Sequence, residues 1–214
     1  MQKIVVIDYG MGNLHSVAKA IEHVAPGDEV VVTDDQAQIR SADRIVCPGQ
    51  GAALDCMAAI DEHGLAQLLV DVCGTRPFLG ICMGFQVLFD HSEENAGVDC
   101  LGVIPGKVVR FAHPLNSEDG QRLKVPHMGW SKVEQAMDHP LWTGIEQHSR
   151  FYFAHSYYGV PDDEHCVSGY CDYGKRIAVS VAKRSTFACQ FHPEKSADTG
   201  LRLLKNFVAW DGQL

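Results

Sequence analysis

The chain opens on a short β-branched run, Ile4 to Ile7, that ends at Asp8. Gly10 and Gly12 then turn it into Leu14, Val17, Ala18 and Ile21, spaced i, i+3, i+4, i+7 as one apolar face of a helix that Asn13 can cap. A second run, Val30 to Val32, precedes a polar stretch, and a third, Ile45 to Cys47, leads into Pro48-Gly49-Gln50-Gly51. Leu54, Met57 and Ala58, then Leu65, Leu68, Leu69 and Val72, repeat the helical spacing, and Phe78 to Ile81 reads as a central strand. Short apolar runs alternating with amphipathic helices predict parallel strands buried on both faces, the α/β class.

From about Lys107 the pattern changes to short strand-like pieces: Lys107 to Phe111, Phe151 to Phe153, Ile177 to Val181 and Thr186 to Phe191. These are expected to add antiparallel strands to one side of a mostly parallel central sheet with flanking helices. Pro114 to Arg122 reads as a polar loop, and Leu201, Leu204, Phe207 and Val208 as the face of a closing helix. With 214 residues, no repeat and no linker, residues 1–214 are expected to form a single domain.

Charge and composition narrow the function. Lys plus Arg number 18 against 27 Asp plus Glu, a net charge of −9 that repels phosphate backbones and anionic membranes. The longest mostly apolar stretch, Phe78 to Phe89, is interrupted by Gly80, Gly84 and Gln86 and falls short of the ~20 residues of a membrane span. Neither nucleic acid nor membrane is an expected partner. Ile4 to Ile7 is too short for the apolar core of a secretory signal, so the cytoplasm is the expected location. Eight cysteines without a C-x-x-C pair, and eleven histidines without an H-E-x-x-H, predict reduced thiols and no metal.

The sharpest chemical signal is Gly80-Ile81-Cys82-Met83-Gly84, a cysteine version of the G-x-S-x-G nucleophile elbow, between a predicted strand and a predicted helix. There Cys82 would sit at a helix N-terminus, which favours thiolate. The same letters also suit a buried cysteine in a glycine-rich bend. Gln190-Phe191-His192-Pro193-Glu194 supplies an imidazole and a carboxylate two residues apart, on one side of an extended segment, where Glu194 could orient His192. Together the two segments favour a cysteine nucleophile. The Met83 N–H and the turn Pro48-Gly49-Gln50-Gly51-Ala52 are candidate sources of oxyanion donors. Gln86, four residues past Cys82, falls on the same helix face.

These motifs resemble the class I (triad) glutamine amidotransferases over nearly the whole chain, which implies their flavodoxin-like architecture. Within that family, Ile7 to Leu14, Pro48 to Ala52, Pro126-His127-Met128-Gly129-Trp130, His155-Ser156-Tyr157-Tyr158 and Phe191 to Ser196 resemble the branch that serves imidazole glycerol phosphate synthases. The resemblance implies that Cys82 attacks the side-chain amide of L-glutamine, His192 moves the proton and Glu194 holds His192. It further implies that Gly51 and Met83 serve the oxyanion, and that Gly51, Gln86, Ser156 and Tyr157 bind glutamine. Asn13, Met128, Trp130 and Lys195 would meet a (β/α)8 cyclase partner, which would receive ammonia through an internal channel. No cofactor is implied. Other glutaminase branches, for pyridoxal phosphate, GMP or aminobenzoates, and a silent regulatory module on the same fold are the alternatives. Asp8 to Leu14 and Pro126 to Trp130 argue against the former, and the complete triad against the latter.

Overall fold

The computed structural model describes residues 1–117 and 119–213, so Glu118, within the expected polar loop, and Leu214 lie outside the described residues. The first half alternates β1 (Lys3–Ile7), α1 (Leu14–Val24), β2 (Glu29–Thr33), α2 (Gln36–Ser41), β3 (Arg44–Cys47), α3 (Ala53–Glu62), α4 (Ala66–Val72), β4 (Phe78–Ile81) and a single turn, α5 (Met83–Gln86). Short strands follow: β5 (His91–Ser92), β6 (Val98–Asp99), β7 (Gly106–Arg110), β8 (Leu115–Asn116), β9 (Arg122–Leu123), β10 (His127–Lys132) and β11 (Glu134–Gln135). The chain ends with β12 (Arg150–His155), β13 (Tyr157–Pro161), β14 (Val167–Asp172), β15 (Arg176–Lys183), β16 (Thr186–Cys189) and α6 (Ala197–Ala209).

The main sheet runs β2-β1-β3-β4-β16-β15-β13-β7-β5-β6, with β14 paired to β15 and β11 to β14. Its first five strands are parallel, the 2-1-3-4-5 order of flavodoxin-like sheets. Each inner strand is buried on both faces. Ile4 and Val6 of β1 pack towards α1 and α6, with Val17, Ile21, Leu204 and Phe207, while Val5 and Ile7 point to the other side, with Ile60, Leu68 and Leu69 of α3 and α4. The Asn13 side chain accepts the Ser16 N–H at 3.4 Å and so caps α1. Buried Arg44 donates from β3 to the Trp210 carbonyl just past α6, tying the last helix to the sheet edge.

Three expectations need correction. Thr186 to Phe191 does not simply add an antiparallel strand: β16 is parallel to β4 and antiparallel only to β15, because it is the fifth strand of the parallel set. Phe151 to Phe153 lies outside the main sheet, in β12, which pairs with β10 as a separate two-stranded ribbon. Within Pro114 to Arg122, β8 and β9 form a small antiparallel hairpin rather than a loop. The polar stretch after Val32, for which no element was expected, holds α2, capped by Asp35, whose side chain accepts the Gln38 N–H.

The packing of α5 against β3 is close: a Cβ on Gly84 would overlap the Cys47 carbonyl. Gly84→Ala is expected to destabilise the fold by about 3 kcal/mol, the upper range for overpacking, read as a fall in Tm of roughly 6–12 °C. At Gly27 nothing lies within 4 Å of an added Cβ. Gly27→Ala should therefore leave stability within about 0.5 kcal/mol of the parent chain.

Candidate active site

Parallel strands end at one edge of the sheet, the usual binding edge of an open α/β fold, and the loops after β3, β4 and β16 meet there. β4 stops at Ile81 and the chain reverses at Cys82, whose φ of 57° and ψ of −105° lie outside the common wells for an L-residue. The bend is over-determined. The Cys82 N–H donates to the Cys189 carbonyl at 2.8 Å, and the Cys82 carbonyl accepts the N–H groups of Phe85 and Gln86 at 3.0 and 3.2 Å. Backbone strain of this kind costs about 1–3 kcal/mol and persists only where the surroundings enforce it.

A cavity of about 310 Å³ opens at this bend, at the small end of the ~300–1,000 Å³ of ligand pockets. Cys82, Met83, Gln86, Gln50, Gly51, Ser156, Tyr157, His192 and Lys195 line it, together with Met128 at its mouth. Glu194 stands behind His192: its Oε1 accepts the His192 Nδ1–H at 2.9 Å, and its side chain is 2% exposed. The route to that contact differs from the expected extended segment. Pro193–Lys195 is a 3-10 turn, and the turn rather than strand alternation brings the carboxylate back to the ring. Asn13 and Trp130 are not part of the cavity wall; Asn13 caps α1, and Trp130 is half exposed on β10.

Burial sets the state of the thiols packed around the cavity. Burial pushes the Cys56 thiol up to about 12, and burial likewise raises Cys47 and Cys189 further, so these stay protonated. Burial alone would lower the His192 pKa, but hydrogen bonds to Cys82 and Glu194, with their charge, raise it to about 10. Of the two expected oxyanion donors, the Met83 N–H is engaged, donating to the Gly49 carbonyl at 3.4 Å. That carbonyl belongs to the peptide joining Gly49 to Gln50. A Cβ on Gly49 would overlap the Tyr9 hydroxyl and crowd Met83, while Gly51 holds φ +100°.

Sequence reasoning overlooked three side chains here. His155 lines the cavity from the end of β12, and Glu94 lines it while accepting the Ala53 N–H at 2.7 Å. Gln190, wholly buried, lies with its Nε2 3.9 Å from Cys82 Sγ. His155 and Gln190 fall inside segments already singled out, but only the distances reveal what they touch. Glu94 carries no motif.

The family profile for glutamine amidotransferase class-I matches residues 5–210. Imidazole glycerol phosphate synthase subunit HisH of Pseudomonas putida is 57% identical over 213 residues, all of both chains. The protein of that name from Aromatoleum aromaticum is 54% identical over 211 residues, 98% of this chain and 99% of its own. Among solved structures, PurLQS from Thermotoga maritima superposes with a TM-score of 0.72 at 18% identity, covering 98% of this chain and 99% of the other. A glutamine amidotransferase gives a TM-score of 0.71, also at 18% identity, covering 96% and 97%. At that identity the structural likeness speaks for the fold.

Two pH effects follow from the buried imidazoles. By NMR, His192 should keep its proton well above the ordinary histidine range of about 6.5, and Glu194→Gln should bring its titration down. Burial lowers His127 and His139 to about 4 and His155 to about 3. Their folded values lie below the unfolded one, so unfolding takes up protons on acidification; their contribution is complete above about pH 6.5 and is lost as pH falls towards 4. Tm should therefore drop between pH 7 and 5, and His139→Gln should reduce that slope.

Proposed function

The chain belongs to the class-I glutamine amidotransferase family, and on that premise we propose that it is the glutaminase subunit of an imidazole glycerol phosphate synthase, acting in histidine biosynthesis. It hydrolyses L-glutamine to glutamate and ammonia, and passes the ammonia through a channel to a (β/α)8 cyclase partner in a cytoplasmic heterodimer. Residues 1–214 act as one glutaminase domain. The observation that carries the reading is the set of side chains meeting at the strained bend: Cys82 faces His192, and His192 is held by Glu194.

The chemistry follows from those positions. Because His192 Nδ1–H donates to Glu194, the proton shared by Cys82 and His192 is held on Nε2, ready for the leaving nitrogen as sulfur attacks the amide carbon. The tetrahedral intermediate collapses as the C–N bond breaks, and His192 returns the proton to the leaving nitrogen, releasing ammonia and leaving a thioester. Water attacks the thioester with His192 as base; the C–S bond then breaks, and glutamate leaves as the thiol is restored. Gly51, Gln86, Ser156 and Tyr157 hold the substrate in the cavity. The scheme uses no cofactor.

Partner control fits the state of the oxyanion site. With the Gly49 carbonyl accepting the Met83 N–H, an acceptor stands where a donor is needed. Rotation of the Gly49–Gln50 peptide plane, about ψ of Gly49 and φ of Gln50, releases Met83 and swings the Gln50 N–H inward. Cyclase docking favours the rotated state. Met128 and Trp130, 65% and 50% exposed, form an apolar outer face on β10 suited to that partner, Lys195 stands exposed at the cavity rim, and Asn13 completes the proposed set of partner-facing residues.

A glutamine-mimicking electrophile should add once per chain, at Cys82, by mass spectrometry; adduct formation undiminished in Cys82→Ala removes the proposed nucleophile. Mixing the chain with a cyclase subunit and its nucleotide ligand should raise glutamine turnover about 10²-fold or more, the worth of one oxyanion donor. Equal turnover with and without the partner refutes the peptide switch.

A further inference from the structure

Buried polar side chains form one continuous hydrogen-bonded path from the β10–β12 ribbon to the nucleophile, and its donor directions can be deduced atom by atom. His127 and His155 are directly opposite each other in the ribbon, 2% and 5% exposed. His155 Nδ1 lies 2.7 Å from the Tyr157 carbonyl, which only accepts, so Nδ1 carries the proton. Both rings are neutral at pH 7 because burial lowers their pKa, so His155 Nε2 is an acceptor. His127 Nδ1, 2.9 Å away, must then donate to it, and His127 Nε2 accepts the Ser131 hydroxyl at 2.8 Å.

The Tyr157 carbonyl joins this arm to a second. Gln86 Nε2 has two hydrogens, and two acceptors await them: the Tyr157 carbonyl at 3.4 Å and Gln190 Oε1 at 2.9 Å. The Gln190 amide is thereby oriented with its Nε2 towards Cys82 Sγ. One atom of the path remains without a partner, Gln86 Oε1, a buried acceptor on a side chain that lines the cavity. An unsatisfied buried acceptor is costly unless a ligand donor completes it.

We propose that His127, His155 and Gln190 are positioning residues: they lock the Gln86 amide so that its Oε1 faces the cavity and accepts an N–H from the bound amino-acid substrate. The inference rests on the glutaminase reading and adds to it the residues that fix substrate orientation. None of the three reacts with the substrate. His127 acts at the far end, through His155 and the Tyr157 carbonyl, and its strand presents Met128 and Trp130 on the opposite face.

The test is steady-state glutamine hydrolysis in complex with a cyclase subunit. His127→Leu removes the donor to His155 and should raise KM for glutamine about tenfold, with kcat within about threefold of wild type. His127→Asn, whose amide N–H replaces Nδ1–H, should restore most of the loss, which a packing defect alone would not allow. In a Gln86→Ala background, His127→Leu should add little, because both changes act through the same amide. An unchanged KM in folded His127→Leu, no rescue by asparagine, or full additivity with Gln86→Ala overturns the proposal. If His127→Leu does not fold, Gln190→Met decides: it removes the Gln86 acceptor, and an unchanged KM again overturns the proposal. A wild-type complex that neither hydrolyses glutamine nor takes the electrophile overturns the glutaminase reading itself, and this inference with it.

Discussion

The backbone at Cys82 is the constraint on which the remaining arrangement depends. A φ of 57° with a ψ of −105° is unfavourable for a cysteine, and no single contact imposes it. The end of the β4–β16 ladder holds its N–H, the first turn of α5 holds its carbonyl, and the absence of a side chain at Gly84 lets that turn sit against the Cys47 carbonyl. The result is a side chain thrust out from the end of a fully buried strand. Relaxing the bend would draw the side chain away from the cavity that it lines.

The same sheet edge collects what the thiol needs. Because β3, β4 and β16 are adjacent and parallel, their carboxyl ends deliver the Pro48–Ala52 turn, Cys82 and the His192 turn to one place without long loops. The antiparallel half contributes the opposite wall. Its β10–β12 ribbon leaves the sheet and, through Ala154, His155 and the bend at Ser156, closes over the cavity. In the proposed scheme one half supplies reacting groups and the other orienting groups, and the Tyr157 carbonyl is where hydrogen bonds from the two meet.

Much of this was legible in the sequence, for identifiable reasons. Strands such as Phe78–Ile81 are buried on both faces, so their apolar runs stand out; the helical spacing of Leu14 to Ile21 is equally plain. Cys82, His192 and Glu194 lie in short motifs whose residue types are chemically constrained. What escaped depends on distance in space. Whether β16 runs parallel to β4, or β12 joins the main sheet, is decided by partners that an apolar run does not name. Gln86 meets Gln190 across 104 positions, and His127 meets His155 across 28. A lone glutamine or histidine in a strand carries no local sign of its partner. The contact of Glu194 with His192 was anticipated, but for a different local reason, since a 3-10 turn replaced the extended segment.

The division between what is preformed and what is not bears on control. In the proposed scheme the Cys82, His192 and Glu194 side chains cannot serve as the switch, because His192 and Glu194, like neighbouring Gln190, are packed in place, and moving any of them would expose or orphan buried polar atoms. A peptide plane is different. The Gly49–Gln50 plane turns about ψ of Gly49 and φ of Gln50, and in the proposed scheme the rotation exchanges a carbonyl for an amide at the site where negative charge develops. One such donor is worth about 2.7–4 kcal/mol of barrier, enough to hold turnover low until a partner biases the plane, yet small beside the cost of dismantling the triad. Under the proposed function, a glutaminase that must not release ammonia without a consumer is best regulated at the oxyanion site, with its nucleophile left fully assembled.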